Sequence, residues 1–232
     1  MTIDNAFPSP LHAAEIFFIS SSTLPDGSTQ IEWIGSAMIW LLLLLSFISV
    51  GLIARALLSH RRRSVVPVGA ADALIHRAAR ESAAQVRAGL ASDSSDLGRI
   101  AGAALDALPL GRAGSVDAAE CAAEECAARR FRTIESLNTL AQVSPMIGLF
   151  GTVYGMIVAF QTVAASGGQA DPALLAGGIG TALVTTFWGL IIAIPALATY
   201  ATVRGRIDEE VALALEAALR ASGEIASREK SP

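Results

Sequence analysis

Two long apolar stretches of the chain contain no charged residue, and four of their threonines lie at helical spacing from glycines. Thr181, Thr185 and Thr186 occur within six residues of one another, and Thr152 lies in the preceding stretch. Hydroxyls in an apolar helix can bridge to a neighbouring helix or hold water. Two interpretations stay open: helix packing in which each hydroxyl bonds its own backbone, and a hydroxyl-lined face along a narrow aqueous path. Because three of these threonines are clustered, we slightly favour the interpretation of a hydroxyl-lined aqueous path.

Small residues recur at helical spacing around these threonines. They form one stripe of a helix around Thr152, and they recur at i, i+3, i+7 and i+11 along the helix that contains Thr185. Small side chains let two helices approach closely. The glycines that we assign to close packing are Gly148, Gly151, Gly155, Gly178 and Gly189. Pro145 and Pro195 each remove one backbone hydrogen bond and predict helix kinks.

The apolar stretches contain no Asp, Glu, Lys, Arg or His. A proton path through a membrane normally needs a titratable group, so another chain would have to supply it. An intramembrane hydrolase needs a nucleophile with a base, or paired acids, so we predict that the chain is not an enzyme. Cys121 and Cys126 have no adjacent His and cannot form a four-ligand metal site. We therefore predict neither a metal site nor a cofactor.

Three uncharged stretches have the length of membrane spans. Trp33–Ala54, Ser136–Ala170 and Pro172–Val203 contain 22, 35 and 32 residues without an acidic or basic side chain. A helix of about 20 apolar residues crosses the hydrocarbon core of a bilayer. We predict an all-α membrane protein with a first transmembrane helix over 33–54. The second and third spans form an antiparallel hairpin over 136–203, because only about eight residues separate them.

The distribution of basic residues predicts the orientation. All 17 Lys and Arg fall within 55–132 or 204–230, whereas the residues before the first span are acidic. Basic residues stay on the cytoplasmic side, so the N-terminus is predicted outside and the C-terminus inside. The predicted membrane-surface anchors are Arg55, Arg61, Arg62, Arg63, Arg204 and Arg206. This topology explains the triple arginine fully, so no nucleic-acid partner is predicted.

The same topology divides the rest of the chain into an outer segment, 1–32, a cytoplasmic helical region, 55–135, and a C-terminal cytoplasmic helix, 204–232. His12–Ser20 could form an interfacial helix at the outer surface. Within the cytoplasmic region, the spacing of apolar residues predicts helices over Ala71–Leu90 and Asp96–Leu108. Ser115 is predicted to cap a long helix that continues into the second span and stops at Gly167.

Two motifs carry a resemblance to a known family. The segment 144–155, SPMIGLFGTVYG, and the segment 178–196, GIGTALVTTFWGLIIAIPA, resemble the signatures of the ExbB/TolQ/MotA proton-channel family. The likeness covers roughly residues 135–206. Three spans with an outer N-terminus are similar to the ExbB/TolQ branch, because MotA has four spans.

The resemblance implies a subunit of a proton-motive-force-driven motor, or stator channel, in the bacterial inner membrane. Five such subunits would surround a dimer of ExbD/TolR-like single-span proteins that supply the membrane Asp. A TonB-like or TolA-like protein is a candidate further partner, and mechanical work on the envelope is the implied output. The alternative that we keep is a non-conducting membrane scaffold, packed through its small-residue faces.

The family's functional positions fall on residues of this chain. Its pore-facing threonines correspond to Thr152 and Thr186, and its two membrane prolines correspond to Pro145 and Pro195. We assign Thr181 and Thr185 to the same predicted path. Many ExbB/TolQ proteins carry a Glu where this chain has Thr181, which leaves the subfamily open.

Overall fold

The computed structural model describes residues 21–23, 29–31, 33–62, 69–168 and 172–229. The predicted interfacial helix, His12–Ser20, lies outside the described residues. Two short strands, β1 (Ser21–Thr23) and β2 (Thr29–Ile31), pair antiparallel. The described helices are α1 (Trp33–Arg62), α2 (Ala70–Ala78), α3 (Ala83–Leu90), α4 (Asp96–Asp106), a 3-10 turn (Leu108–Leu110), α5 (Gly111–Ala165) and α6 (Pro172–Glu229).

The predicted fold class is confirmed. Apart from the two three-residue strands, the regular structure of the described chain is helical. Within the described ranges, three helices, α1, α5 and α6, are long and apolar enough to cross a membrane. The chain divides into two compact units, one built from residues 1–54 and 136–199 and the other from residues 55–135 and 200–232.

The first unit contains the apolar part of α1 and a hairpin made by α5 and α6. Ile39 and Leu42 of α1 are fully buried, whereas Phe47 of the same helix is 78% exposed, as expected for a helix with a lipid-facing side. The hairpin turn uses Gly167 and Gly168, whose φ angles of 66° and 89° favour glycine. The α6 helix begins at Pro172, where the sequence predicts it.

In the second unit, the prediction of one helix over Ala71–Leu90 is wrong. The structure has two helices there, and α3 has its own N-terminal cap. Ser82 accepts a hydrogen bond from the backbone N–H of Gln85, and the Gln85 side chain accepts from the backbone N–H of Ser82. This reciprocal pair satisfies two backbone donors that a new helix start leaves open, so it stabilises the break.

The predicted cap at Ser115 is also wrong. The α5 helix begins four residues earlier, at Gly111, whose φ of 89° reverses the chain after the 3-10 turn. Ser115 is buried, and its hydroxyl donates to the carbonyl oxygen of Ala104 at 2.8 Å. The hydroxyl therefore joins α5 to α4 instead of ending the helix.

A mostly buried arginine joins three helices of this second unit. Arg130 of α5 forms ion pairs with Asp96 of α4 at 2.5 Å and with Glu210 of α6 at 3.4 Å. The side chains of Arg130, Asp96 and Glu210 are only 15%, 14% and 29% exposed. Removing one member of a buried ion pair leaves an uncompensated charge, which is costly.

We expect Arg130→Met to destabilise the second unit by about 3 kcal/mol, because it leaves two carboxylates without their buried partner. Thermal unfolding of the purified protein in detergent measures the effect. The matched control is Arg220→Met, because Arg220 pairs with Glu216 on an exposed helix face where both side chains are more than half exposed. Such surface pairs contribute little. Equal midpoints for the two variants would contradict the prediction.

Candidate functional site

The glycines of the hairpin lie where α5 and α6 touch. A Cβ atom built on Gly155 would lie 2.8 Å from the Cβ of Ala182, and one built on Gly178 would lie 3.1 Å from the Cβ of Ala159. A Cβ on Gly151 would lie 2.7 Å from the Cβ of Thr185. Each distance is shorter than ordinary van der Waals contact, so side chains at these positions would force the helices apart.

Gly148 and Gly189 approach backbone atoms rather than side chains. A Cβ on Gly148 would lie 2.9 Å from the carbonyl oxygen of Thr185, and one on Gly189 would lie 2.7 Å from the carbonyl oxygen of Ser144. Backbone atoms of a helix cannot turn away as the end of a flexible side chain can. The two helices therefore cross most closely where these two glycines meet.

Three threonine hydroxyls gather at this crossing. The Thr152 hydroxyl lies 3.2 Å from the carbonyl oxygen of Gly148 on its own helix and 3.1 Å from that of Ala182 on α6. It also forms a hydrogen bond with the hydroxyl of Thr186, and either oxygen can be the donor. The Thr186 hydroxyl lies 3.1 Å from the Gly148 carbonyl oxygen. Both threonines are half-buried.

Thr185 occupies the interior of the same cluster. It is 2% exposed, and its hydroxyl lies 2.7 Å from the carbonyl oxygen of Ala182 and 3.1 Å from that of Gly148. In the single chain, Thr185 therefore faces the other helix, whereas Thr152 and Thr186 lie at the edge of the contact. The structure brings these three predicted residues together. The side chain of Thr181, the fourth predicted residue, lies outside the described part of the structure.

The cluster is polar but not titratable. The spans of the hairpin contain no acidic residue, basic residue or histidine in the sequence, and threonine hydroxyls neither gain nor lose a proton near neutral pH. The crossing can therefore orient water and exchange hydrogen-bond partners, but a proton carrier must come from another molecule.

Comparison with known proteins assigns the family. Residues 97–215, which include the whole threonine cluster, match the sequence model of the MotA/TolQ/ExbB proton channel family. The chain belongs to this family. This is a channel family rather than an enzyme family. The match confirms the resemblance seen in the two motifs.

Named relatives place the chain on the ExbB/TolQ branch. It is 48% identical over 62 residues to the biopolymer transport protein exbB1 of Vibrio cholerae, a stretch that covers 27% of each chain. It is 43% identical over 84 residues to the Tol-Pal system protein TolQ of Haemophilus influenzae, covering 33% of this chain and 36% of the relative. The biopolymer transport protein ExbB of Neisseria gonorrhoeae is 46% identical over 65 residues, covering 28% and 29%. The chain thus spans about a third or less of the length of these relatives.

The predicted anchors of this ExbB/TolQ-branch chain differ in their surroundings. Arg55 and Arg206 are exposed. Arg204 donates to the hydroxyl of Tyr200 at 2.9 Å, and its guanidinium lies 5.1 Å from the ring centroid of Phe131. Aromatic faces attract a guanidinium, and sequence reasoning missed this contact. The side chains of Arg61 and Arg62 and all of Arg63 lie outside the described residues.

Both prolines lie inside helices that continue past them. Pro145 is in α5 and Pro195 is in α6. Each lacks a backbone N–H, so the carbonyl four residues earlier has no helical donor. Ser144, which is fully buried beside Pro145, donates its hydroxyl to the carbonyl oxygen of Leu140 at 2.7 Å. The kinks assigned to the two prolines stay a prediction.

Sequence reasoning missed the acceptors of the cluster. The carbonyl oxygens of Gly148 and Ala182 receive the threonine hydroxyls, but the identity of a side chain says nothing about which backbone carbonyl a facing helix will reach. The nearest available signal is small size, because only a residue with a short side chain leaves its carbonyl accessible to a hydroxyl on the next helix.

Proposed function

We propose that this chain is a channel-forming subunit of a proton-motive-force-driven motor, and that the Thr152–Thr186 edge of the hairpin faces its water-filled path. Five copies surround a pair of ExbD/TolR-like single-span helices, each of which brings an Asp into the membrane. The chain lies in the bacterial inner membrane with its N-terminus outside. A TonB-like or TolA-like protein receives the work.

The hydroxyl cluster is the observation that carries this proposal. Thr152 and Thr186 bond to each other across two membrane helices, are half-buried, and lie in a region that matches a proton channel family. Hydroxyls at the edge of a helix contact can exchange a protein acceptor for water at little cost. Because the cluster cannot hold charge, it fits a role beside a carrier rather than that of the carrier itself.

The proposed cycle begins when a proton crosses from the outer side to the partner Asp through water held at Thr152 and Thr186. Neutralising that Asp changes which copy of this chain it prefers, so the inner pair steps within the ring. Release of the proton to the cytoplasm resets the Asp. A proton that crosses down a potential of 100 mV yields about 2.3 kcal/mol.

The exposed apolar side chains of the hairpin support a ring of subunits. Met146, Phe150 and Leu183 are each at least 60% exposed in the single chain. Lipid and neighbouring copies are the surroundings that suit such surfaces in a membrane. Native mass spectrometry in mild detergent tests the ring directly, and a stable monomer at micromolar concentration would contradict it.

Proton flux measured in proteoliposomes tests the function. The purified chain is reconstituted together with a single-span ExbD/TolR-like partner, and internal pH is followed after a potential is applied. We expect flux with the intact partner and none when the Asp of the partner's span is replaced by Asn. Flux that persists with the Asn partner would overturn the proposal.

A non-conducting scaffold is the second candidate, and one observation favours it. Each of the three clustered hydroxyls has a hydrogen-bond partner within the hairpin, so packing alone could account for them. The same flux measurement separates the two functions. A scaffold assembles with its partner but carries no protons at any applied potential.

Chemical labelling of the two cysteines tests the proposed orientation of the chain in the membrane. Cys121 is exposed and Cys126 is buried, and both lie in the region assigned to the cytoplasm. Burial, together with the negative charge of Asp96, raises the pKa of the Cys126 thiol above its ordinary value, which makes it a poorer nucleophile. We therefore expect a membrane-impermeant maleimide to label Cys121 alone, and only when it can reach the cytoplasmic face.

A matched variant controls for access. Ser166 is exposed in the turn between α5 and α6, which the proposal places outside. Ser166→Cys, introduced into a Cys121→Ser background, should be labelled in intact spheroplasts, whereas the native chain should be labelled only in inverted vesicles. Labelling of Cys121 in intact spheroplasts would reverse the orientation.

A further inference from the structure

Thr185 is the one member of the threonine cluster that is buried from water. Its hydroxyl lies within hydrogen-bond distance of two carbonyl oxygens, those of Ala182 and Gly148. The same two carbonyls are the acceptors within reach of Thr152, and that of Gly148 is the carbonyl within reach of Thr186. Thr185 therefore competes with Thr152 for both carbonyls, and with Thr186 for that of Gly148.

The number of available acceptors limits which hydroxyls can donate to a carbonyl at the same time. A carbonyl oxygen has two lone pairs. In an α-helix one of them accepts the N–H four residues later, so Gly148 already accepts from Thr152 and Ala182 already accepts from Thr186. Each carbonyl is left with one site. Three hydroxyl hydrogens thus share two carbonyl sites, and within the cluster the third hydrogen goes to another hydroxyl.

When Thr185 donates to Gly148, one arrangement satisfies every donor. The remaining carbonyl, Ala182, lies within reach of Thr152 at 3.1 Å, so Thr152 donates there. Thr186 has then no carbonyl left in the cluster and donates to Thr152. The hydrogen bond between the two edge hydroxyls is locked in the direction from Thr186 to Thr152.

When Thr185 donates to Ala182, two arrangements are possible. The free site on Gly148 lies within reach of both Thr186 at 3.1 Å and Thr152 at 3.2 Å. Either hydroxyl can take that site while the other donates to it. The bond between the edge hydroxyls can then run in either direction. All arrangements share the same covalent structure and differ only by rotation about C–O bonds, so no proton is gained or lost.

We propose that Thr185 is a positioning residue that locks or releases the direction of the Thr152–Thr186 hydrogen bond. The direction decides which edge oxygen keeps more open lone pairs toward water: Thr152 when it donates to Thr186, and Thr186 when it donates to Thr152. Thr185, although buried, thereby sets the orientation of water at the edge of the crossing. The functional meaning of this control rests on the proposed proton path, but the hydrogen-bond switch itself does not.

Removing the Thr185 hydroxyl ends the competition. With two hydroxyl hydrogens and two open carbonyl sites, Thr152 can donate to Ala182 and Thr186 can donate to Gly148, and neither needs the other. Thr185→Val and Thr185→Ala should therefore loosen the bond between the edge hydroxyls, whereas Thr185→Ser should keep it. Two variants without the hydroxyl guard against misfolding of the bulkier one beside Gly151.

Proton-detected solid-state NMR of the full-length protein in lipid bilayers, with labelled threonine, provides the test. We expect a through-space cross-peak between the hydroxyl protons of Thr152 and Thr186 in the wild type and in Thr185→Ser. It should fall about five-fold or more in Thr185→Val and Thr185→Ala, the factor that corresponds to losing about 1 kcal/mol of hydrogen bonding. Thr162→Val is the matched control, since Thr162 is exposed and bonds to Val158 of its own helix.

Proton flux with the single-span partner is the second readout. The two variants that lack the hydroxyl should conduct about five-fold less than the wild type, and Thr185→Ser should conduct normally. If wild-type flux is absent but the cross-peaks behave as expected, the proposed channel fails and the switch stands. A cross-peak of wild-type intensity in both Thr185→Val and Thr185→Ala would overturn the switch.

Discussion

We expect Gly189→Ala to lower the thermal unfolding midpoint of the protein and to weaken its assembly. The added methyl group would lie 2.7 Å from the carbonyl oxygen of Ser144 and 3.4 Å from the Cα atoms of Gly148 and Pro145. Those are backbone atoms of a facing helix, so the helices must separate to make room. Overpacking of this kind costs about 1–3 kcal/mol. Gly148→Ala should act similarly, because its Cβ would lie 3.0 Å from the Cα of Thr186.

The chain offers matched controls on the same helix. A Cβ built on Gly177 or Gly180 meets no atom within 4 Å among the described residues. Alanine is a better helix former than glycine by about 1 kcal/mol, so Gly180→Ala should be neutral or stabilising in the single chain. Thermal unfolding in detergent compares the variants. If Gly189→Ala and Gly180→Ala unfold at the same temperature, the crossing is not held by the close approach of these helices.

Much of the hairpin could be predicted because local signals and helix packing agree there. Pro172 opens α6, the glycines at 167 and 168 supply positive φ angles, and the small residues recur at the period of a helix. The spacing could not predict how α6 is rotated about its axis relative to α5. Thr185 and Thr186 are adjacent in sequence, yet one is buried in the contact and the other lies at its edge. Adjacent residues of an α-helix point about 100° apart, so the rotation of α6 about its own axis decides which of the two is buried.

The two wrong predictions in the second unit have a common physical cause. The segment is rich in alanine, which favours a helix at almost every position, so propensity alone does not locate a break. A capping box decided the first boundary, and the positive φ of Gly111 decided the second. Ser82 and Gln85 form the S-x-x-Q pattern of a capping box and could have been recognised, whereas Ser115 found an acceptor, the carbonyl of Ala104, that only the folded chain provides.

The largest effect on function is expected when a hydroxyl is removed from the edge of the crossing. Thr152→Val and Thr186→Val keep the shape of the side chain, so folding and assembly should survive. Each removes one end of the hydrogen bond between the two helices and one site that can hold water. We expect proton flux with the single-span partner to fall about ten-fold in each variant, equivalent to about 1.4 kcal/mol of barrier.

The double variant Thr152→Val/Thr186→Val sharpens this prediction, because two groups that act as a unit show non-additive effects. If the hydroxyls work as one bonded pair, losing both should reduce flux little more than losing either. If the two hydroxyls instead acted independently, their ten-fold effects would multiply to about a hundred-fold loss of proton flux. Thr162→Val, which removes a hydroxyl elsewhere on α5, should conduct as the wild type does. Normal flux in both single variants would remove the threonine pair from the proton path, and multiplied losses would show that the two hydroxyls serve it separately.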